Sequence, residues 1–247
     1  MNNDETTRTE SKSAPIPWGL RDLLFAILFA VLGILVLNLG VLGIRVLLQY
    51  DLHNHGIALV LFVLAQDGVI LAAASLFSVV RYHVGWSALG LDPAKARVGC
   101  GLSFALLIAS YVIRSGYIAG AFAFGIKIQP QAILPQLDVT GFGFILTFIA
   151  AGIIAPIVEE IFFRGFMYAG LRQRWGIPMA MLVSTLFFTG LHFTVELFIP
   201  IFVLGFFLVW LYEKTGSLYP GIFLHMANNI IAVLALAVLK ASGIAPF

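Results

Sequence analysis

Charge is scarce in this sequence: 11% of its 247 residues are Asp, Glu, Lys or Arg, whereas an average soluble domain carries about a quarter. So few charges cannot cover a water-exposed surface. With 61% hydrophobic residues and a mean hydropathy of +1.02, lipid is the solvent this chain is built for. Cysteine is scarcer still. Cys100 stands alone, which excludes an intramolecular disulfide and a thiolate-rich metal site. Nor is there a surplus of one sign. The formal net charge is +2 and the basic residues are scattered, with no stripe able to neutralise a row of phosphates, so nucleic acid is excluded as a partner. Internal repeats and low-complexity tracts are absent as well.

What the sequence does have is long apolar runs. They lie at 23–48, 57–80, 98–124, 142–167, 177–193, 197–212 and 218–239, separated by short stretches rich in Gly, Pro and charge. Each approaches the roughly 20 residues that a membrane helix needs, the fifth and sixth being the shortest. The expected fold is therefore an all-α membrane protein, a polytopic transmembrane helix bundle of about seven spans. The first run is too long for a signal-peptide core and reads as a span retained in the mature protein. A polar tail (1–18), a set of N-terminal transmembrane helices (19–141) and a C-terminal transmembrane core (142–240) are expected to form one membrane domain. With the N-terminus in the cytoplasm, Arg8, Lys12, Arg21, Arg81, Lys95, Arg97, Arg172, Arg174 and Lys214 face inward, against Arg45, Lys127 and Lys240 outward. That bias predicts a multi-pass protein of the cell membrane, N-terminus in. The segment 84–97 is expected to lie along the inner interface, and 125–141 to be the longest external connection.

A charged side chain in hydrocarbon costs about 2.5–3.5 kcal/mol on insertion scales, so each one in a span requires a reason. Most cluster after residue 142. Glu160 and Arg164 are four apart and share a helical face, while Glu159 projects about 100° away, without that partner. Glu160 with Arg164 is thus the expected scaffold pair and Glu159 the working carboxylate. The fifth span offers Phe188 and His192 at the same spacing, the ring packing on the imidazole; the seventh offers His225 and Asn229. Two donors on one helical face suit an oxygen that gains negative charge during acyl transfer. Depth is a check. At 1.5 Å per residue, Glu159 and His192 both lie about 22 Å from the inner border, but His225 and Asn229 only about 10 to 16 Å, so the seventh span is expected to begin deeper, or the fourth and fifth to protrude. Elsewhere, Asp67 and Gln66 of the second span and Arg114 of the third are expected to satisfy one another across the bundle. The Asn228–Asn229 pair has a rival role as helix–helix glue. Glu196 is read as solvated at the outer border, and His53, His55 and His83 as loop residues.

Taken together, Glu159-Glu160-x-x-x-Arg164, Phe188-x-x-x-His192 and His225-x-x-x-Asn229, each within an apolar run, resemble the CPBP family of intramembrane proteases. This is the CAAX protease or bacteriocin-processing family, which includes the Ras-converting CAAX endopeptidases. The likeness covers roughly 142–237, and the lead-in Leu218-Tyr219-Pro220-Gly221 before His225 is similar too. The resemblance implies an endopeptidase that cuts membrane-associated proteins or peptides. Glu159 and His192 would activate the attacking water, His225 and Asn229 would form the oxyanion hole, and Glu160 and Arg164 would support them. No cofactor is expected. Two His and one or two Glu also make an acceptable zinc shell, so a metalloprotease is the mechanistic alternative, although the His-Glu-x-x-His arrangement is absent. The rival functions are a catalytically idle scaffold or bacteriocin self-immunity protein of the same fold, and a proton-coupled transporter.

Overall fold

A computed structural model describes residues 16–49, 56–92, 95, 99–126 and 136–243. Expectations for His53 and His55, for most of the polar tail and for parts of the 84–97 and 125–141 segments fall outside the described residues. Among those described, every regular element is helical. The helices are α1 (Leu20–Leu48), α2 (Gly56–Ser75), α3 (Cys100–Ala123), α4 (Gly141–Ile149), α5 (Ala155–Glu160), α6 (Ala169–Gly190), α7 (Phe198–Thr215) and α8 (Tyr219–Ala241). Turns of π-helix extend α2 (Leu76–Val80), join α4 to α5 (Ala150–Ile154) and join α5 to α6 (Ile161–Tyr168).

Among the described residues, six helical runs are long and apolar enough to cross a membrane, the fourth being the 50-residue stretch Gly141–Gly190. A straight helix of that length would measure about 75 Å, more than twice the roughly 30 Å of hydrocarbon. It is not straight. Gly176 breaks it with φ 72° and ψ 172°, a region open to glycine alone, and Pro178 follows. The two arms then fold back on each other: Ser184 Oγ donates to the Phe163 carbonyl at 3.0 Å, and the Phe163 and Phe188 rings meet edge to face at 5.3 Å. Counting the arms separately gives seven helical segments, as the apolar runs imply, in a multi-pass membrane protein. The second arm, 177–190, reaches only about 20 Å at helical rise.

Outward-facing side chains are those of a lipid-bathed molecule. α1 turns Leu28, Val31, Leu35, Val36 and Leu39 outward along its length, and it is pinned mainly at its start. There Trp18 is buried and donates from Nε1 to the Phe166 carbonyl at 3.0 Å. Asp22 accepts from the Gly19 amide, the Tyr82 hydroxyl and Arg81. The core runs through the π-helix after α5, where Ile161–Tyr168 are buried without exception.

The segment expected to skim the interface does more than that. The 3-10 turn Trp86–Leu89 drives a fully buried Leu89 into the bundle. It comes so close to the π-helix that a Cβ on Gly165 would stand 2.6 Å from the Leu89 carbonyl oxygen. The Leu218 amide donates to the Gly90 carbonyl at 2.9 Å, and Leu218 itself has no exposure. α8 therefore starts inside the protein, under this turn.

Candidate active site

Glu160 is the anchor of the polar cluster. Its Oε1 accepts from Arg164 Nη1 at 2.8 Å and from His225 Nδ1 at 3.0 Å, and neither Glu160 nor Arg164 has exposed surface. Arg164 also donates from Nη2 to the Gly205 carbonyl of α7 at 3.1 Å and lies over the Phe188 ring at 4.3 Å. A buried guanidinium is costly unless charge and donors are matched; here a carboxylate, a carbonyl and a π face meet it, while Nε has no hydrogen-bond partner among the described residues. Small residues make the room. A Cβ on Gly205 would sit 2.9 Å from Phe188 Cδ1, and one on Gly221 would sit 3.0 Å from Glu160 Oε2.

His225 links the pair to Glu159. A carboxylate only accepts, so the proton of the 3.0 Å contact is on Nδ1 and the other nitrogen is turned away from Glu160. That Nε2 lies 3.6 Å from Glu159 Oε2, beyond direct hydrogen-bond reach. Glu159 Oε2 is buried and has no hydrogen-bond partner among the described residues. One helical step thus separates Glu160, whose Oε1 is clamped twice while its Oε2 has no partner among the described residues, from Glu159, which approaches His225 at 3.6 Å.

His192 arrives by a different route from the one its spacing suggests. α6 ends at Gly190, so His192 stands in a turn beyond the helix. The amides of Leu191 and His192 bond to the Phe187 and Thr189 carbonyls, leaving the Phe188 carbonyl to accept from His192 Nδ1 at 2.7 Å. Because a carbonyl only accepts, Nε2 of a neutral His192 carries the lone pair. Phe193 takes φ 50° to turn the chain, uncommon for a bulky residue. The Phe188 ring then serves both imidazoles, with centroids 4.7 Å from His192 and 5.7 Å from His225.

Asn229 sits one turn beyond His225 and donates from Nδ2 to the Ala151 carbonyl at 3.0 Å. The acceptor has a local cause. In the π turn the Ala155 amide bonds to the Ala150 carbonyl, so the next donor due, for Ala151, is residue 156. That residue is proline and has no N–H. The side chain of Asn229 supplies the missing donor. Neither the π register nor this vacancy in the backbone ladder is visible as a motif; Pro156 in mid-span was the only sign.

Arg114 and Asp67 are not partners, contrary to the expectation from their positions. Arg114 donates to Asn228 Oδ1 at 3.2 Å. Asp67 is buried on α2, which packs against α5, with Oδ2 unpartnered among the described residues and near enough to Glu159 to feel its charge. The two residues point to different helices, which sequence spacing cannot resolve. Glu196 is partly buried and its carbonyl accepts from Tyr117 at 2.8 Å. Among the described residues, no group of three His, Cys, Asp or Glu side chains is arranged to hold a metal ion.

The class defined by this fold and cluster is a multi-pass helical membrane protein with an acid–imidazole centre within its spans. Residues 141–231 match the family model described as type II CAAX prenyl endopeptidase Rce1-like, so the likeness read from the three motifs is shown over the segment that carries all of them. Among curated proteins, the Bacillus subtilis (strain 168) protein named "Putative membrane peptidase YdiL" is 30% identical over 139 residues, 54% of this chain and 57% of that one. The Lactococcus lactis subsp. lactis (strain IL1403) protein named "UPF0177 protein YxdF" is 27% identical over 99 residues, 40% of this chain and 51% of that one. The chain thus spans little more than half the length of either relative. No solved structure matches it.

Proposed function

We propose that this protein is an intramembrane endopeptidase that hydrolyses a peptide bond of a membrane-associated protein or peptide. One observation carries the reading: Glu159 Oε2, buried and without a partner among the described residues, faces an imidazole whose other nitrogen is locked onto the Glu160–Arg164 pair. The Rce1-like match and the name of the Bacillus relative support it.

In this reading Glu159, with His192 Nε2, takes the proton of a water whose oxygen attacks the scissile carbonyl carbon. The C–O bond forms, and the carbonyl oxygen becomes an oxyanion, met by His225 Nε2–H and the second N–H of Asn229. The proton then passes to the amide nitrogen, the C–N bond breaks, and acid and amine leave. Glu160 accepts Nδ1–H of His225, so the Nε2–H that meets the oxyanion is that of the doubly protonated ring, whose charge Glu160 balances. Arg164 fixes Glu160. The centre works without a metal, and the protein lies in the cell membrane with its N-terminus in the cytoplasm.

The test compares membrane proteomes of cells carrying the wild-type chain and Glu159→Gln. An uncut precursor accumulating in the variant is expected, with cleavage of that precursor by purified wild-type protein reduced about 10²–10⁴-fold by the substitution. Unchanged proteomes, or ion flux without cleavage in reconstituted vesicles, overturn the proposal. Cleavage that persists in a chelator supports the glutamate mechanism; loss that zinc restores supports the metalloprotease instead.

A further inference from the structure

We infer that Arg114, on α3 and outside the segment matching the family model, is a positioning residue for Asn229, acting through Asn228. The inference rests on the proposed role of Asn229 as an oxyanion donor and extends the machinery to another helix.

Three contacts in series carry it. Arg114 Nη2 donates to Asn228 Oδ1 at 3.2 Å, Asn228 Nδ2 donates to Asn229 Oδ1 at 3.1 Å, and Asn229 Nδ2 donates to the Ala151 carbonyl at 3.0 Å. A side-chain amide taken alone is ambiguous, because its oxygen and nitrogen ends exchange by a half-turn. This series is not. A guanidinium has donors only and a carbonyl is an acceptor only, so both amides in between can satisfy their neighbours in one sense alone. Asn229 is thereby compelled to turn its NH₂ toward the Ala151 carbonyl between α4 and α5, with one N–H for Ala151 and one left for the proposed oxyanion.

The surroundings hold the series at its source. Arg114 lies against the Tyr111 ring at 5.3 Å, and the Tyr111 hydroxyl donates to the Asn228 carbonyl at 3.4 Å. Asn228 is 6% exposed, so water has little access to replace either partner. An arginine needed only to tie α3 to α8 would be served equally well by a carboxylate at 228. The amide is what transmits direction, since it accepts at one end and donates at the other.

That difference supplies the experiment. Asn228→Asp keeps an acceptor for Arg114 but offers no N–H to Asn229. The purified full-length protein is assayed on the precursor that Glu159→Gln cells accumulate, alongside its thermal unfolding in the same detergent. The expected result is kcat lowered about 10–100-fold, KM within about twofold, and a melting temperature equal to or above that of the wild type. Arg114→Lys retains a donor and keeps most of the activity; Arg114→Met loses it to about the same degree as Asn228→Asp. This pair decides the matter if Asn228→Asp does not fold. Wild-type kcat in Asn228→Asp, or equal activity of Arg114→Lys and Arg114→Met, overturns the inference while Glu159→Gln remains inactive. Should no precursor accumulate in Glu159→Gln cells, the endopeptidase reading fails first and this inference with it.

Discussion

The two adjacent glutamates show how one residue step separates structure from chemistry. Glu160 spends its Oε1 on Arg164 and His225 and leaves its buried Oε2 without a partner among the described residues, whereas Glu159 Oε2 has only the 3.6 Å approach of His225 Nε2. Removing one member of a buried pair strands the other charge, at a cost of about 3–5 kcal/mol. Arg164→Met is therefore expected to lower the unfolding free energy by about that amount in detergent, while the double replacement Glu160→Gln with Arg164→Met recovers part of it. A double-mutant cycle measured by thermal or denaturant unfolding checks this, and strictly additive losses would contradict the coupling. Much of this scale was legible in the sequence. Four-residue spacing sufficed for Glu160 and Arg164, because a side chain in hydrocarbon finds its nearest ligand on its own helix. The partners of Arg114 and Asp67 were not legible, since they depend on which helices become neighbours, information that no local spacing contains.

At the scale of elements, deviations from regular helix do the placing. Gly176 has open space where a Cβ would project, so any penalty on substituting it comes from backbone conformation alone. Gly176→Ala is predicted to cost about 1–3 kcal/mol through its φ of 72°, read as a lower midpoint in unfolding with no change in the site's own side chains. Pro156 offers the opposite case. Pro156→Ala restores an N–H and improves helix propensity by up to about 3 kcal/mol, yet the new amide competes with Asn229 for the Ala151 carbonyl. A protein at least as stable as wild type but slower in turnover is the expected outcome; unchanged turnover would show that the proline has no part in orienting Asn229. Apolar periodicity told where the helices are, since it reports burial and length. It could not reveal the π turns, because a widened register is set by what packs around it and leaves the pattern of apolar residues intact. Nor did it show that α8 begins beneath the Trp86–Leu89 turn, a placement fixed by the contact of Leu218 with Gly90 rather than by residue count.

For the whole molecule, the seven helical segments among the described residues and the distribution of Lys and Arg are the basis of the proposed orientation, N-terminus in the cytoplasm. In a chain whose Cys100 is replaced by Ser, Lys214→Cys is expected to be shielded from a membrane-impermeant maleimide in intact cells and labelled after permeabilisation. Ser242→Cys is expected to be labelled without permeabilisation. The reverse pattern would invert the topology and place Arg172 and Lys214 outside. The sequence set this expectation through charge alone, and the fold-back at Gly176 divides the 50-residue run into the two arms that the expected count of seven requires.

The same fold-back also bears on how the protein is made. The hairpin built around Gly176 holds Glu159, Glu160, Arg164 and His192 on one continuous stretch of chain, but the imidazole that joins the two glutamates belongs to α8, two segments later. During synthesis the acidic half enters the bilayer without its conjugate partner, and the constellation closes only when α8 slides in beside α3 and α7. A nascent intermediate holding α1–α7 has the hairpin but lacks the imidazole that bridges the glutamates, so maturation of the site is coupled to the docking of α8.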